Sequence, residues 1–410
     1  MRVIVIGAGI GGLALAQGLC SAGIEVAVHD RDPEVSATGG YRLHLDRHAC
    51  AALRRRLPAP LFQALLGSSA GPQAWRRFGI LDHRLRLLAA EPRAEDDEAL
   101  LIGRVPLRRL LTHGLPELRF GAEFTHHETH ADGRVTAHFA DGSTDRGDLL
   151  VGADGVGSRV ATALAGRPTS APVGLSGIAG RTPLTDGVPV PDVLLAGPAL
   201  AFSADGVAVF LSVHDPAAGA VVDPATCLRV PADVESGDIV WGVTALDERL
   251  PADVRGRDHA GLRAAALDVL GDWAPALRAI VAAESRTVAH FRFHAADPDS
   301  DLTPWPSGVV TALGDAVHAM PPTGGRAAAT AVRDADLLAG RLVEVGSGAT
   351  TIPLAVQDYE SAMPGYARDA VRESLAPVRW IRRLARPGLR GLARAAFPVA
   401  AAAARVVAAR

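Results

Sequence analysis

The chain has 410 residues, 48% hydrophobic and 21% charged, with a formal net charge of -3, a length that exceeds one simple core and suits two domains. The mild acidity excludes nucleic acid as a general partner, and no apolar run reaches the ~20 residues of a membrane span. Three widely spaced cysteines, Cys20, Cys50 and Cys227, offer neither a CxxC pair nor a metal spacing and fit a reducing cytoplasm.

The chain passes straight into an all-apolar strand, Val3 to Ile6, with no leader pattern ahead of it; such a strand is expected at the centre of a parallel sheet. Gly7-Ala-Gly-Ile-Gly-Gly12, a helix from Leu13 to Ala22 and a strand from Glu25 to Asp30 complete a βαβ unit. Helices are expected over Ala49 to Leu66 and over Gly103 to Leu115, the latter with Pro106 in its first turn. Residues 119–149 alternate and carry two turn pairs, Asp132-Gly133 and Asp141-Gly142, which predict a β-meander. Leu149 to Gly152 is a further buried parallel strand. Residues 170–295 hold strand-like pieces (Ala199 to Phe202, Val207 to Val213, Asp238 to Thr244) and a helix near Gly261 to Ala283, the pattern of a separate sheet with one face covered. The chain returns to the first domain at Gly308 to Leu313, and residues 331–375 are helical.

The fold class is therefore α/β: a Rossmann-like domain assembled from 1–70, 98–168 and 300–375, a second β-sheet domain from 71–97 and 169–299, and a basic helical tail, 376–410. From Arg379 to Arg410 that tail carries eight arginines and no acid. It reads as a helix packed on its own domain, with contact to an anionic membrane as the competing reading.

Three motifs carry the chemistry. Gly7, Gly9 and Gly12 match GxGxxG between a strand and a helix: the first permits the tight turn, the second lets backbone approach a pyrophosphate, and the third lets helix and strand pack closely. Asp30 ends the second strand, where a carboxylate can take both hydroxyls of an adenosine ribose and disfavours a 2′-phosphate, so FAD or NAD is preferred over NADP here. Asp154-Gly155 lies just past the strand ending at Gly152, where α/β sheets present ligand contacts, although Asp-Gly is also a plain turn pair. Gly314-Asp315 follows a buried strand, Pro321-Pro322 stiffens the next loop, Gly324-Gly325 lets backbone approach a flat ring, and a helix then begins whose amides favour negative charge.

Together these motifs, in this order, resemble the FAD-dependent aromatic hydroxylases, single-component flavoprotein monooxygenases with the p-hydroxybenzoate hydroxylase fold; matching stretches lie near 1–45, 100–160 and 305–340. The resemblance implies non-covalent FAD held at its ADP half by Gly7, Gly9, Gly12, Asp30 and Arg31, with Arg104 (in Arg104-Val-Pro-Leu107) and Arg42 (in Gly40-Tyr-Arg-Leu-His-Leu45) as further FAD-side arginines. Asp154 and Gly155 belong to a motif linked to both FAD and NAD(P)H, Asp315 bonds the ribityl chain, and Pro321 to Gly325 line the isoalloxazine. It also implies transient NAD(P)H, O2, and a C4a-hydroperoxyflavin that hydroxylates or epoxidises a small molecule; few aromatics and many Ala, Val, Leu and Gly in the middle block suggest an apolar aromatic or polyketide-like substrate. Arg42, His44 and His318 are candidate helpers, each histidine also fitting a packed or solvated position, and no catalytic base is named.

Two positions depart from the family. Ala327 and Ala329 stand where Gly and Asn are usual. If position 327 needs a positive φ, alanine costs about 1 kcal/mol or more. That leaves a second class open, a redox-silent homologue whose pocket performs a cyclisation or rearrangement. A flavin halogenase is disfavoured because that group's tryptophan-rich signature is missing. His126, His127 and His130 suggest a metal, but adjacent strand residues face opposite ways and no carboxylate completes the set at ligand spacing, so no metal is expected.

Overall fold

The computed structural model describes residues 1–38, 40, 42–71, 74–92, 98–185, 187–215, 220–283, 285 and 287–408. β1 (Arg2–Ile6), α1 (Ile10–Ser21) and β2 (Glu25–His29) form the expected βαβ unit, followed by β3 (Arg42–Leu45). The single helix expected over Ala49 to Leu66 is two, α2 (Arg47–Arg56) and α3 (Ala59–Gly67). Pro58 is the cause, because the residue before a proline is pushed out of the helical region, and Leu57 takes ψ 144°. β4 (Arg77–Asp82) and β5 (Leu87–Pro92) precede β6 (Leu100–Gly103), α4 (Arg104–Thr112) and β7 (Glu117–Arg119). The meander is β8 (Phe124–Thr129), β9 (Val135–Phe139) and β10 (Thr144–Gly147), and β11 (Leu149–Gly152) and α5 (Arg159–Ala165) follow it.

The second half runs β12 (Ala171–Pro183), β13 (Ala199–Phe202), β14 (Val207–His214), β15 (Asp238–Leu246), α6 (His259–Leu270), α7 (Pro275–Ala282), β16 (Val288–Ala295), β17 (Val310–Ala312), α8 (Asp315–His318), α9 (Ala327–Gly346), α10 (Ile352–Leu384) and α11 (Pro387–Ala408). Gly271, at φ 53°, and Pro275 split the one helix expected near 261–283 into α6 and α7. The helical stretch 331–375 is likewise two helices. The tail boundary expected at 376 falls inside the 33-residue α10, which continues through Pro364 and Pro377. Among the described residues, no helix is long and apolar enough to cross a membrane.

Five parallel strands, ordered β17-β11-β1-β2-β7, form the first sheet. Its central strands, β1 and β11, are apolar along their buried stretches because both faces are covered, whereas the edge strand β7 (Glu117-Leu-Arg119) is largely exposed. Val3, Val5, Val26, Val28 and Val151 pack toward α1 and α9, whereas Ile4, Ile6, Leu150 and Val310 pack against Phe124, Val135 and Phe139 of the meander. Each such fully buried aliphatic contributes about 1.5–3 kcal/mol.

The second sheet has seven strands, ordered β16-β12-β15-β14-β13-β4-β5, antiparallel except for β13 with β4. One face packs Val209, Trp241 and Val243 against Leu262, Leu277 and Ile280 of α6 and α7. The opposite face carries Leu200, Phe210, Phe291 and Phe293 and meets Val378 and Ile381 of α10.

One buried carboxylate fastens the returning chain to α10. Glu360, 5% exposed, accepts from Trp305 Nε1 at 2.8 Å, Ser307 Oγ at 2.5 Å and Thr311 Oγ1 at 2.7 Å. Glu360→Ala strands three donors and is expected to lower stability by about 3 kcal/mol or more, read as a fall in the urea midpoint.

Candidate functional site

The glycine turn after β1 has the geometry its spacing calls for. Gly7 sits at φ +112°, and a Cβ there would lie 2.2 Å from the Ala153 carbonyl oxygen; at Gly12 a Cβ would lie 2.1 Å from the Gly7 carbonyl oxygen. At Gly9 nothing approaches closer than 3.9 Å, so the side facing away from the protein is open at the N-terminus of α1, where free amides favour an anion.

Asp30 is buried at the end of β2. Its Oδ2 accepts from Ala8 N at 2.5 Å and from Arg108 Nη2 at 3.2 Å, and its Oδ1 accepts from Asp32 N at 2.7 Å. Three of about four acceptor positions are thus used to aim the carboxylate. Arg31 is exposed beside it.

Arg108 was not singled out in the sequence and organises this corner. Only 2% exposed, it donates Nε to Ala8 O at 2.7 Å and Nη1 to Asp32 Oδ2 at 2.8 Å. It follows Arg104 by one helical step on α4, and that i, i+4 spacing was the available signal. Arg104 donates Nε to Thr38 Oγ1 at 3.1 Å. Burial pulls its guanidinium below the ordinary range, and the nearby Asp315 carboxylate opposes that shift.

Asp154 is turned onto α5: Ser158 Oγ donates to its Oδ1 at 2.5 Å and Arg159 N to its Oδ2 at 2.8 Å. It therefore caps a helix, while Gly155, at φ +73°, has open space around it. Asp315 begins α8 and is half-buried, with its Oδ1 enclosed and lacking a hydrogen-bond partner. Burial drives its carboxyl above the usual range, and the positive charges of His318 and Arg104 oppose that shift.

His318, proposed as a helper, is engaged by Asp334. It is fully buried, with Nε2 2.6 Å from Asp334 Oδ2. Burial lowers its affinity for a proton, but Asp334 more than offsets this and raises it above the ordinary value of 6.5. Asp334 also accepts from Gly314 N at 2.8 Å and from Tyr366 Oη at 2.7 Å. His44 packs edge-on against Trp75, ring centroids 4.4 Å apart. Arg42, taken as an FAD-side arginine, reaches the second sheet: Nη1 donates to Ser212 Oγ at 2.6 Å and to Val213 O at 2.7 Å.

Pro321 is buried and leads into a one-turn 3₁₀ helix, Pro322–Gly324. A Cβ on Gly324 would lie 2.4 Å from Ser374 Oγ of α10, so helix packing already requires glycine there. Gly325, at φ +64°, is the residue with open space. The strain feared at Ala327 is absent: among the described residues Leu85 is the one non-glycine with positive φ. Ala327 packs with Met320, Val371 and Leu375, and Ala329 is 4% exposed in the main core. The N-terminus of α9 has no side-chain cap and no acid in its first turn, which leaves its amides free for an anion.

The histidines on β8 require a correction. Glu128 and the cross-strand His138 do come within 4.8 Å of His126. The His126 and His138 rings stack nearly parallel, 6° apart with centroids at 4.3 Å, so their in-plane lone pairs run side by side and do not converge.

Comparison with known proteins agrees with this geometry. A model of the FAD binding domain matches residues 271–374. The chain is 30% identical over 392 residues to the dual O-methyltransferase/FAD-dependent monooxygenase CTB3 of Cercospora beticola, covering 88% of this chain and 44% of that protein; it thus spans less than half the length of the first curated relatives it matches. A crystal structure from Photorhabdus luminescens, described as an FAD-containing monooxygenase, superposes with a TM-score of 0.76 at 30% identity, covering 94% of this chain and 98% of that one. Klebsiella pneumoniae HpxO, complexed with FAD and uric acid, shares the fold, with a TM-score of 0.72 at 24% identity, covering 94% and 92%. The chain belongs to the FAD-dependent aromatic hydroxylase family of flavoprotein monooxygenases.

Asp315→Ala is expected to weaken FAD retention about tenfold, measured by titrating apoprotein with FAD. His318, with its folded pKa above 6.5, contributes stability that is complete below pH 6.5 and lost as pH rises through the folded value. The urea midpoint should therefore fall on going from pH 6.5 toward 9, and His318→Gln should flatten that slope.

Proposed function

We propose that the protein is an FAD-dependent monooxygenase that takes electrons from NAD(P)H and inserts one oxygen atom of O2 into an apolar aromatic or polyketide-like molecule, by hydroxylation or epoxidation, in the cytoplasm. The observation that carries the reading is the enclosed Asp315 Oδ1, which has no protein partner and feels the Arg104 charge. Such an oxygen is costly unless a ligand donor meets it, and a ribityl hydroxyl supplies that donor.

FAD, when bound, supplies the activation of O2. The chain's own residues bind, orient and exclude water. The open face at Gly9 and the α1 amides suit the pyrophosphate, Asp30 the adenosine ribose, and Arg104 the nucleotide's negative charge. The α9 amides favour negative charge on the ring's pyrimidine edge, and Gly325 leaves room beside that ring. Phe210 and Phe291, only partly buried on the facing sheet, suit a dry wall against which a substrate would lie. No base is assigned, since His318 is committed to Asp334.

Hydroxylation and epoxidation both have support among relatives. The FAD-dependent urate hydroxylase of Klebsiella pneumoniae is 27% identical over 381 residues, and the zeaxanthin epoxidase of Spinacia oleracea 28% over 352. The redox-silent alternative loses one of its grounds, because the strain expected at Ala327 is absent.

Purified protein is expected to be yellow with a flavin absorption spectrum, and to oxidise NADH or NADPH with O2 faster when a phenol or quinone substrate is present. Colourless protein that cannot be reconstituted with FAD overturns the proposal.

A further inference from the structure

The last two helices carry a surface that the flavin site does not use. Glu373 is the last acid of the chain, and Arg326 Nε holds it at 3.1 Å. Beyond it stand eight arginines, in a chain whose net charge is -3. Arg379, Arg382, Arg383 and Arg386 gather where α10 ends, and all four are exposed. Arg379 Nη2 donates to the Arg372 carbonyl at 3.3 Å, and Arg382 Nη2 donates to the Val173 carbonyl. Among the described residues the last ion-paired arginine is Arg372, and no carboxylate pairs with any of these four. Trp380, in their midst, is 58% exposed.

α11 begins beside this cluster: Leu389 N donates to the Arg386 carbonyl at 3.0 Å. One side of α11 is packed. Ala401 is fully buried, Phe397 is partly buried, and the helix lies along β5, the edge strand of the second sheet. The other side is apolar and open. Leu389, Leu392, Ala396 and Val399 recur at intervals of three and four, which places them on one helix face. Leu389, Leu392 and Val399 are 40%, 66% and 70% exposed. A globular protein normally turns such a stripe toward a core, and one left outside marks an interaction surface.

Size and charge say what covers it. From Leu389 to Val399 the stripe is about 15 Å long, whereas a stable protein interface buries about 1,200 Å² or more. Two copies meeting here would also bring two sets of arginines together with no acid between them, and like charges oppose association. An anionic lipid surface meets both demands. Its headgroups neutralise the arginines, and its interfacial layer takes up an exposed tryptophan and a short apolar stripe.

We propose that the end of α10 and the outer face of α11 form a docking surface for anionic lipid bilayers, on which the protein lies without crossing the hydrocarbon core. Arg379, Arg383 and Arg386 meet headgroup phosphates, while Leu389, Leu392 and Val399 enter the headgroup boundary. Neither signal suffices alone, since shallow apolar burial and charge attraction are each weak and reversible.

The test uses the full FAD-loaded chain, sedimented with vesicles of phosphatidylcholine alone or mixed with phosphatidylglycerol. The protein should bind the mixed vesicles at least about tenfold more tightly, and high salt should release most of it. Arg383→Glu with Arg386→Glu should abolish the difference. Leu392→Ser with Val399→Ser should weaken binding to the mixed vesicles severalfold, and flavin content should be unchanged in both variants. A wild type that ignores phosphatidylglycerol overturns the surface, and so does a charge-reversed or serine-substituted protein that binds the mixed vesicles undiminished. If the charge-reversed protein loses its flavin, Arg383→Gln with Arg386→Gln decides by the same readings. A wild type that dimerises without vesicles and becomes monomeric on the two serine substitutions gives the stripe to a second copy, which also overturns the proposal.

Discussion

Asp334 is fully buried and accepts from three donors, the Gly314 amide, His318 Nε2 and Tyr366 Oη, that arrive from three parts of the chain. An isolated carboxylate in such surroundings is strongly disfavoured, whereas one that is paired and hydrogen-bonded fixes its neighbours in place. This one sets the turn after β17, the short α8 and the first half of α9 relative to α10. Everything asked of Asp315 and of the loop Pro321 to Gly325 depends on that arrangement. The residue next to Gly314, Asp315, keeps an enclosed Oδ1 without a hydrogen-bond partner.

The same contrast recurs across the molecule. Carboxylates that build the scaffold, Asp30 and Glu360 among them, have several protein donors. Buried polar atoms without a hydrogen-bond partner are spread across the molecule, from His29 and His83 to Arg341, and include Asp315 Oδ1, Arg42 Nε and Nη2 and both nitrogens of His214.

Much of this was legible in the sequence, and for local reasons. The turn from Gly7 to Gly12 is dictated by close contacts only glycine allows, and β1, β2 and β11 by unbroken apolar runs with both faces covered. The meander followed from two Asp-Gly turns. What escaped depends on distant partners. β12 and β16 were not seen as strands, since Gly, Ser and Arg interrupt them and their pairing is antiparallel across more than a hundred residues. Arg108 and Asp334 carry no motif; only the folded chain brings them to Ala8 and Gly314. The close contact of Gly324 with Ser374, fifty residues on, was equally hidden. His318 looked available because Asp334 was invisible as its partner. The direction of Arg42, toward β14, could not be read from alternation in β3.

α10 links these observations mechanically. It begins among the helices of the cofactor lobe, lays Ser374 against Gly324, and ends with Val378 and Ile381 beneath the phenylalanines of the second sheet. A helix rooted in both lobes acts as a lever rather than a tether. The two contacts lie on either side of Pro377, where the proline removes a backbone hydrogen bond, so the join between them is the least braced turn of that helix.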